Sequence, residues 1–146
     1  MSKPAIQLSP ERHAQVYAIG QALGGLTYAE AVGRMVNAEI EKGTIGPDLQ
    51  GIDITATEEG LALSFDGQPA VLFSKTGVST LANDLREFAT KGHVAQIQLN
   101  VGHNYKIERK GSGVLLTLPL VGGVTKPFAF DLAHDLANLL EQKLAT

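Results

Sequence analysis

Two helix openings in this chain are built from closely similar six-residue runs, Thr80-Leu-Ala-Asn-Asp-Leu85 and Asp131-Leu-Ala-His-Asp-Leu136, and each follows a series of short alternating segments. Ahead of the first stand Ile52 and Ile54, then Leu61, Leu63 and Phe65, then Val71 to Phe73. Ahead of the second stand Ala95, Ile97, Leu99 and Val101, then Tyr105, Ile107 and Arg109, then Val114 to Leu118 and Phe128 to Phe130. A period of two puts apolar side chains on one face of a strand. Leu81, Leu85 and Phe88, like Leu132, Leu136, Leu139, Leu140 and Leu144, instead repeat with a helical period. A self-similar order of this kind predicts two meander-plus-helix halves, 52–92 and 93–146, with Ala95 to Val101 as an extra strand in the second. The expected fold class is α+β, an antiparallel sheet with both helices on one face.

Turn residues punctuate the pattern. Asp66-Gly67 is a hairpin signal, and Glu58-Glu59-Gly60, Gly102-His103-Asn104 and Gly122-Gly123 read as turns. Gly111-Ser112-Gly113 matches no phosphate-loop spacing and lies between two strands, so it too reads as a hairpin turn. Lys91-Gly92 ends the first helix, and Asp131 is placed to cap the second.

The N-terminal stretch has a different texture. Ala5 to Leu8 alternates as a short strand, with Ile6 and Leu8 on one side and Ala5 and Gln7 on the other. Ser9-Pro10 is a helix start, Val16, Ile19 and Leu23 give that helix one apolar face, and Gly24-Gly25 stops it. Thr27 and Glu30 form a capping-box pattern for a second helix, whose face carries Val32, Val36 and Ile40 beside Met35. A unit of one strand and two helices is too small to bury its own apolar faces, so residues 1–43 require a partner, either the rest of the chain or a second copy. Residues 44–51, TIGPDLQG, read as the linker to the α+β domain at 52–146.

Composition narrows the chemistry. There is no cysteine, which removes disulfides, thiolate metal sites and a thiol nucleophile. No apolar run approaches a membrane span, and the polar start MSKPAIQ does not read as a signal peptide, so a cytoplasmic location with no membrane partner is expected. The net charge of −3 divides as 0 over residues 1–46 (four basic, four acidic), −4 over 47–92 (three, seven) and +1 over 93–146 (five, four). Bulk charge therefore does not mark a nucleic-acid binder. His13, His93, His103 and His134 lack metal-ligand spacing, Glu58-Glu59 reads as a charged turn, and no acid, base and nucleophile assemble. No cofactor, metal or enzymatic activity is expected. In the C-terminal part, Gln96, Gln98 and Asn100, with Lys106 and Lys110 across the hairpin, form either a solvated sheet face or a surface for phosphate or a protein. Single-stranded nucleic acid would need exposed aromatics on that sheet, and Tyr105, the one candidate, shares its side with Ile107.

The strand-helix-helix order at Ile6 to Gly43 resembles the ribbon-helix-helix superfamily, the class that includes the Arc and MetJ repressors. That resemblance implies a homodimer in which two N-terminal strands pair as a ribbon for the major groove and four helices share a core. By position, Ile6, Leu8, Val16, Ile19, Leu23, Val32, Val36 and Ile40 would build the dimer core. Lys3, Ala5 and Gln7 would face base edges, and Thr27 and Tyr28 would meet a phosphate at the second helix's N-terminus. The expected function is a DNA-binding transcriptional regulator whose C-terminal domain dimerises or binds an effector. The alternative is an assembly module that oligomerises without binding nucleic acid.

Overall fold

The computed structural model describes residues 5–90 and 95–145, so Lys3, His93 and the expected helix end at Lys91-Gly92 lie outside the described residues. The chain divides into two compact units, Met1–Gly46 and Pro47–Thr146, with the boundary inside the 44–51 segment.

The first unit is a helical hairpin. Helix α1 (Pro10–Ala22) starts where Ser9 Oγ accepts from Arg12 N, and the proline occupies the first turn, where its missing N–H has no intrahelical role. The chain reverses through Gly24 and Gly25, both at positive φ, and the amides of Gly25 and Leu26 donate to Gly20 O at 3.1 and 3.0 Å. Helix α2 (Tyr28–Glu41) opens with the expected capping box: Thr27 Oγ1 accepts from Glu30 N, and Glu30 Oε1 accepts from Thr27 N. At its far end the Thr44 amide reaches back to Glu39 O and Gly43 N donates to Ile40 O, with Gly43 in the left-handed region.

Ala5 to Ser9 forms no strand in the single chain, and the described fold begins with a helix. The physical reason is the absence of a ladder. A run of about four extended residues gains its stability from cross-strand hydrogen bonds, and among the described residues no strand pairs with it.

The second unit is mixed α+β. It comprises β1 (Ile52–Ala56), β2 (Gly60–Phe65), β3 (Val71–Ser74), α3 (Lys75–Phe88), β4 (Ile97–Asn100), β5 (Tyr105–Lys110), β6 (Gly113–Leu118), β7 (Val124–Ala129) and α4 (Phe130–Ala145). Two meanders each run directly into a helix, in the order the sequence repeat implies. Asp66 and Gly67 turn at φ 50° and 77°, the mirror-image geometry that Asp-Gly favours, and Gly111-Ser112 joins β5 to β6 tightly enough that Lys110 pairs with Gly113. Helix α3 starts five residues before the repeated six-residue run, capped by Ser74 Oγ, which accepts from Gly77 N.

The expected single sheet is instead two antiparallel sheets, β1-β2-β3 and β4-β5-β6-β7. The reason lies in chain direction: β3 passes into α3 without a connecting residue, which carries the chain away from the first ladder before β4 forms its own with β5. The inner faces of the sheets and the two helices share one core. Phe65 of β2 meets Phe128 of β7 with ring centroids 6.1 Å apart, and Phe73 of β3 meets Tyr105 of β5 at 6.3 Å. Helix α3 contributes Val78, Leu81, Leu85 and Phe88, and α4 contributes Ala133, Leu136, Ala137 and Leu140. The helices are also clasped at their rim, where Arg86 donates to Asn138 Oδ1 at 2.7 Å and forms an ion pair with Glu141.

Candidate functional site

In the helical hairpin, α1 and α2 approach closely because Gly20 has no side chain. A Cβ there would stand 2.8 Å from Leu26 O and 3.6 Å from Ala31 Cβ. Val16, Gly20 and Ala31 are the buried positions of the two helices. Of the residues expected to build a dimer core, Ile6, Leu8, Ile19, Leu23, Val32 and Val36 are exposed in the single chain, Ile40 is half-buried and Val16 is buried. Each helix thus leaves an i,i+4 apolar pair open, Ile19 with Leu23 on α1 and Val32 with Val36 on α2.

The groups expected at DNA are placed differently from one another. Ala5 and Gln7 are exposed on the segment before α1. Thr27 is committed to the capping box, so its amide already faces the Glu30 carboxylate. Tyr28 stacks on His13 with ring centroids 4.3 Å apart, its hydroxyl 2.9 Å from His13 Nδ1, and Tyr17 lies 6.2 Å further along the same aromatic row. These side chains lock α1 to α2, and the carboxylate at the α2 N-terminus opposes the positive end of the helix dipole that a phosphate would seek.

The C-terminal polar face does not assemble as the alternation suggests. Residues opposite one another in an antiparallel ladder share a face, and β4 pairs Gln98 with Ile107 and Asn100 with Tyr105. Ile107 and Tyr105 are fully buried, so Gln98 and Asn100 point inward while Ile97 and Leu99 point out beside Glu108 and Lys106. Gln96 stands just before the strand, its carbonyl accepting from Arg109 N at 2.8 Å. Lys106 and Lys110 are on the outer face, on the opposite side of the sheet from Gln98 and Asn100, and Lys106 pairs with Glu108 at 3.5 Å.

The inversion has a cause in α3. Asp84 lies between Leu81 and Leu85 on the buried side of that helix, and a buried carboxylate without partners costs several kcal/mol. Tyr105 Oη donates to Asp84 Oδ2, Gln98 Nε2 donates to the same oxygen at 3.2 Å, and Asn100 Nδ2 donates to the Tyr105 hydroxyl at 3.3 Å. Asn100 Oδ1 in turn accepts from His103 N at 2.8 Å, closing the β4–β5 turn. Burial first, and then the bond to the Asp84 carboxylate, push the Tyr105 phenol above its ordinary value of about 10. The sequence carries a signal for this network in Asp84 itself, an acid set among the apolar helix positions Leu81, Leu85 and Phe88.

His103 lies over the first turn of α3, where a Cβ on Gly77 would come within 2.9 Å of His103 Nδ1 and 3.3 Å of Ser74 Oγ. Ser74 Oγ accepts from Gly77 N as the helix cap, and the Asp84 carboxylate accepts from Tyr105 and Gln98. Among the described residues no three His, Asp or Glu side chains gather as a metal site requires, and no helix is long and apolar enough to cross a membrane. No family model, curated protein or solved structure matches this chain.

Proposed function

We propose that this protein is an assembly module that associates with copies of itself through the N-terminal helical hairpin and the extended segment before it. The observation that carries the reading is the pair of open apolar stripes, Ile19 with Leu23 and Val32 with Val36, on a hairpin whose buried positions are Val16, Gly20 and Ala31. Covering such stripes removes apolar surface from water, at about 25 cal/mol per Å2. The occupant is a second copy because residues 1–46 carry four basic and four acidic groups, so two hairpins meet without net repulsion. Ile6 and Leu8, exposed on a segment that lacks a ladder in one chain, gain one when two chains lie antiparallel.

A DNA-binding regulator would use the same pairing and add duplex contact through Lys3, Ala5 and Gln7. The Glu30 carboxylate at the start of α2 weighs against the phosphate contact that reading needs.

Light scattering of the purified protein and a low-salt polarisation titration with duplex DNA separate the two. Assembly predicts an oligomer that loses mass on Val32→Glu/Val36→Glu substitution and binds no duplex below about 100 μM, weaker than ordinary non-specific affinity. Duplex binding that Gln7→Ala weakens would establish the regulator in its place, and a wild-type mass unchanged by the Val32/Val36 substitutions would exclude the hairpin as the association surface.

A further inference from the structure

The inversion of β4 leaves an apolar stripe on the outside of the second sheet. Ile97 and Leu99 on β4, which forms one edge of that sheet, and Val101 in the turn just past its end are 52%, 58% and 79% exposed. Natural edge strands are usually shielded by charge, proline or a bulge, and a branched apolar row left open on one marks a contact surface. Two charged residues of β5 border the stripe on the same face: Lys106 directly opposite Leu99, and Glu108 directly opposite Ile97.

We propose that this face is a second self-association surface, packing sheet to sheet against the same face of another copy about a two-fold axis. The occupant follows from the charge order. Between Lys106 and Glu108 lies Ile107, and opposite Ile107 lies Gln98, both directed inward. A two-fold axis lying in the interface, perpendicular to the strands and passing over the Gln98–Ile107 pair, sets Ile97 of one copy over Leu99 of the other. The same operation sets Lys106 over Glu108, twice. Apolar row and charge pair are therefore both self-complementary under one rotation, as an isologous contact requires. Facing sheets pack about 10 Å apart with strand directions within about 30°, a separation these side chains span. A partner of uniform charge would meet one favourable and one unfavourable residue at the same place.

This surface belongs to the second unit and does not depend on the hairpin reading. Two different two-fold contacts on one chain generate a closed tetramer or an open row of copies.

The test uses the full chain with the hairpin stripe blocked by Val32→Glu/Val36→Glu, followed by light scattering and circular dichroism. Dimer mass is expected for that variant. Adding Lys106→Glu sets like charges across the axis in both places and reduces the mass to monomer. The exchange Lys106→Glu/Glu108→Lys restores both attractions and, with them, the dimer. Dichroism unchanged across the series keeps misfolding apart from lost association, and Leu99→Lys provides a second disrupting variant outside the ion pair. Monomer mass for the hairpin-blocked variant, as would follow if another part of the same chain covered the stripe, overturns the proposal while leaving the hairpin reading intact. So does a dimer indifferent to both Lys106→Glu and Leu99→Lys. If Val32→Glu/Val36→Glu leaves the wild-type mass unchanged, the hairpin reading fails, and the Lys106 and Leu99 variants still decide this one.

Discussion

The Tyr105 hydroxyl donates to the Asp84 carboxylate inside the core of the α+β unit, joining β5 to α3 through two side chains that are both buried. Around this bond β4, one of the two edge strands of the second sheet, takes its orientation. Gln98 and Asn100 turn inward to complete the network, and the alternating apolar residues Ile97 and Leu99 turn out.

Tyr105→Phe is expected to destabilise the protein by about 1.5–3 kcal/mol, the usual range for a buried hydrogen bond to a charged group. Asp84→Leu removes the carboxylate and leaves the phenol and Gln98 without their acceptor. The double variant should lose less than the sum of the singles, because neither partner is then stranded. Urea unfolding of the four proteins measures this, and strict additivity would show that the two side chains do not act as a unit.

Alkaline pH should weaken the fold through the same phenol. Tyr105 ionises at higher pH folded than unfolded, so its contribution is fully present below the ordinary tyrosine value of about 10 and declines as pH rises beyond it. Phenolate absorbance, taken as the difference between wild type and Tyr105→Phe, should therefore emerge together with the loss of tertiary structure. Ionisation of Tyr105 near its ordinary value in a still-folded protein would contradict its placement.

At the opposite end of the scale, the Arg86 guanidinium holds the Glu141 carboxyl below its ordinary value of 4.5. A depressed carboxyl contributes stability that is present above its unfolded value and is lost as pH falls through the folded one. Both side chains are partly exposed, so solvent screening limits the clasp to under about 1 kcal/mol. Comparing wild type with Glu141→Gln by thermal unfolding should show a small difference at neutral pH that declines as the pH falls below 4.5 and shrinks with added salt.

In the helical hairpin, Gly20→Ala should destabilise although alanine favours a helix by about 1 kcal/mol over glycine. The added methyl would stand 2.8 Å from Leu26 O, which is backbone and can yield only by reopening the turn. Thr27→Ala should cost about 1 kcal/mol through the lost cap. Amide exchange read residue by residue should quicken across α1 and α2 in the first variant and chiefly in the first turn of α2 in the second.

Local signals account for much of this fold. Ser9-Pro10, Gly24-Gly25 and the Thr27–Glu30 box define the hairpin helices, and Asp66-Gly67 and Gly111-Ser112 turn where their backbone preferences direct. The repeated helix openings placed two meander-plus-helix halves in order. They did not foretell how differently two matched acids would be treated: Asp84 is buried and Asp135, its counterpart in the second run, is half-buried.

What the sequence by itself determined was element type and order, because caps, turns and periodicity act over a few residues. The division into two sheets, the failure of Ala5 to Leu8 to form a strand alone, and the orientation of β4 were decided by the tertiary structure. Alternation in β4 defines two faces without saying which is inner, and a one-residue slip exchanges them. The bias toward burying Ile97, Leu99 and Val101 lost to a stronger requirement, that the Asp84 carboxylate and Tyr105 hydroxyl be hydrogen-bonded once the fold had enclosed them.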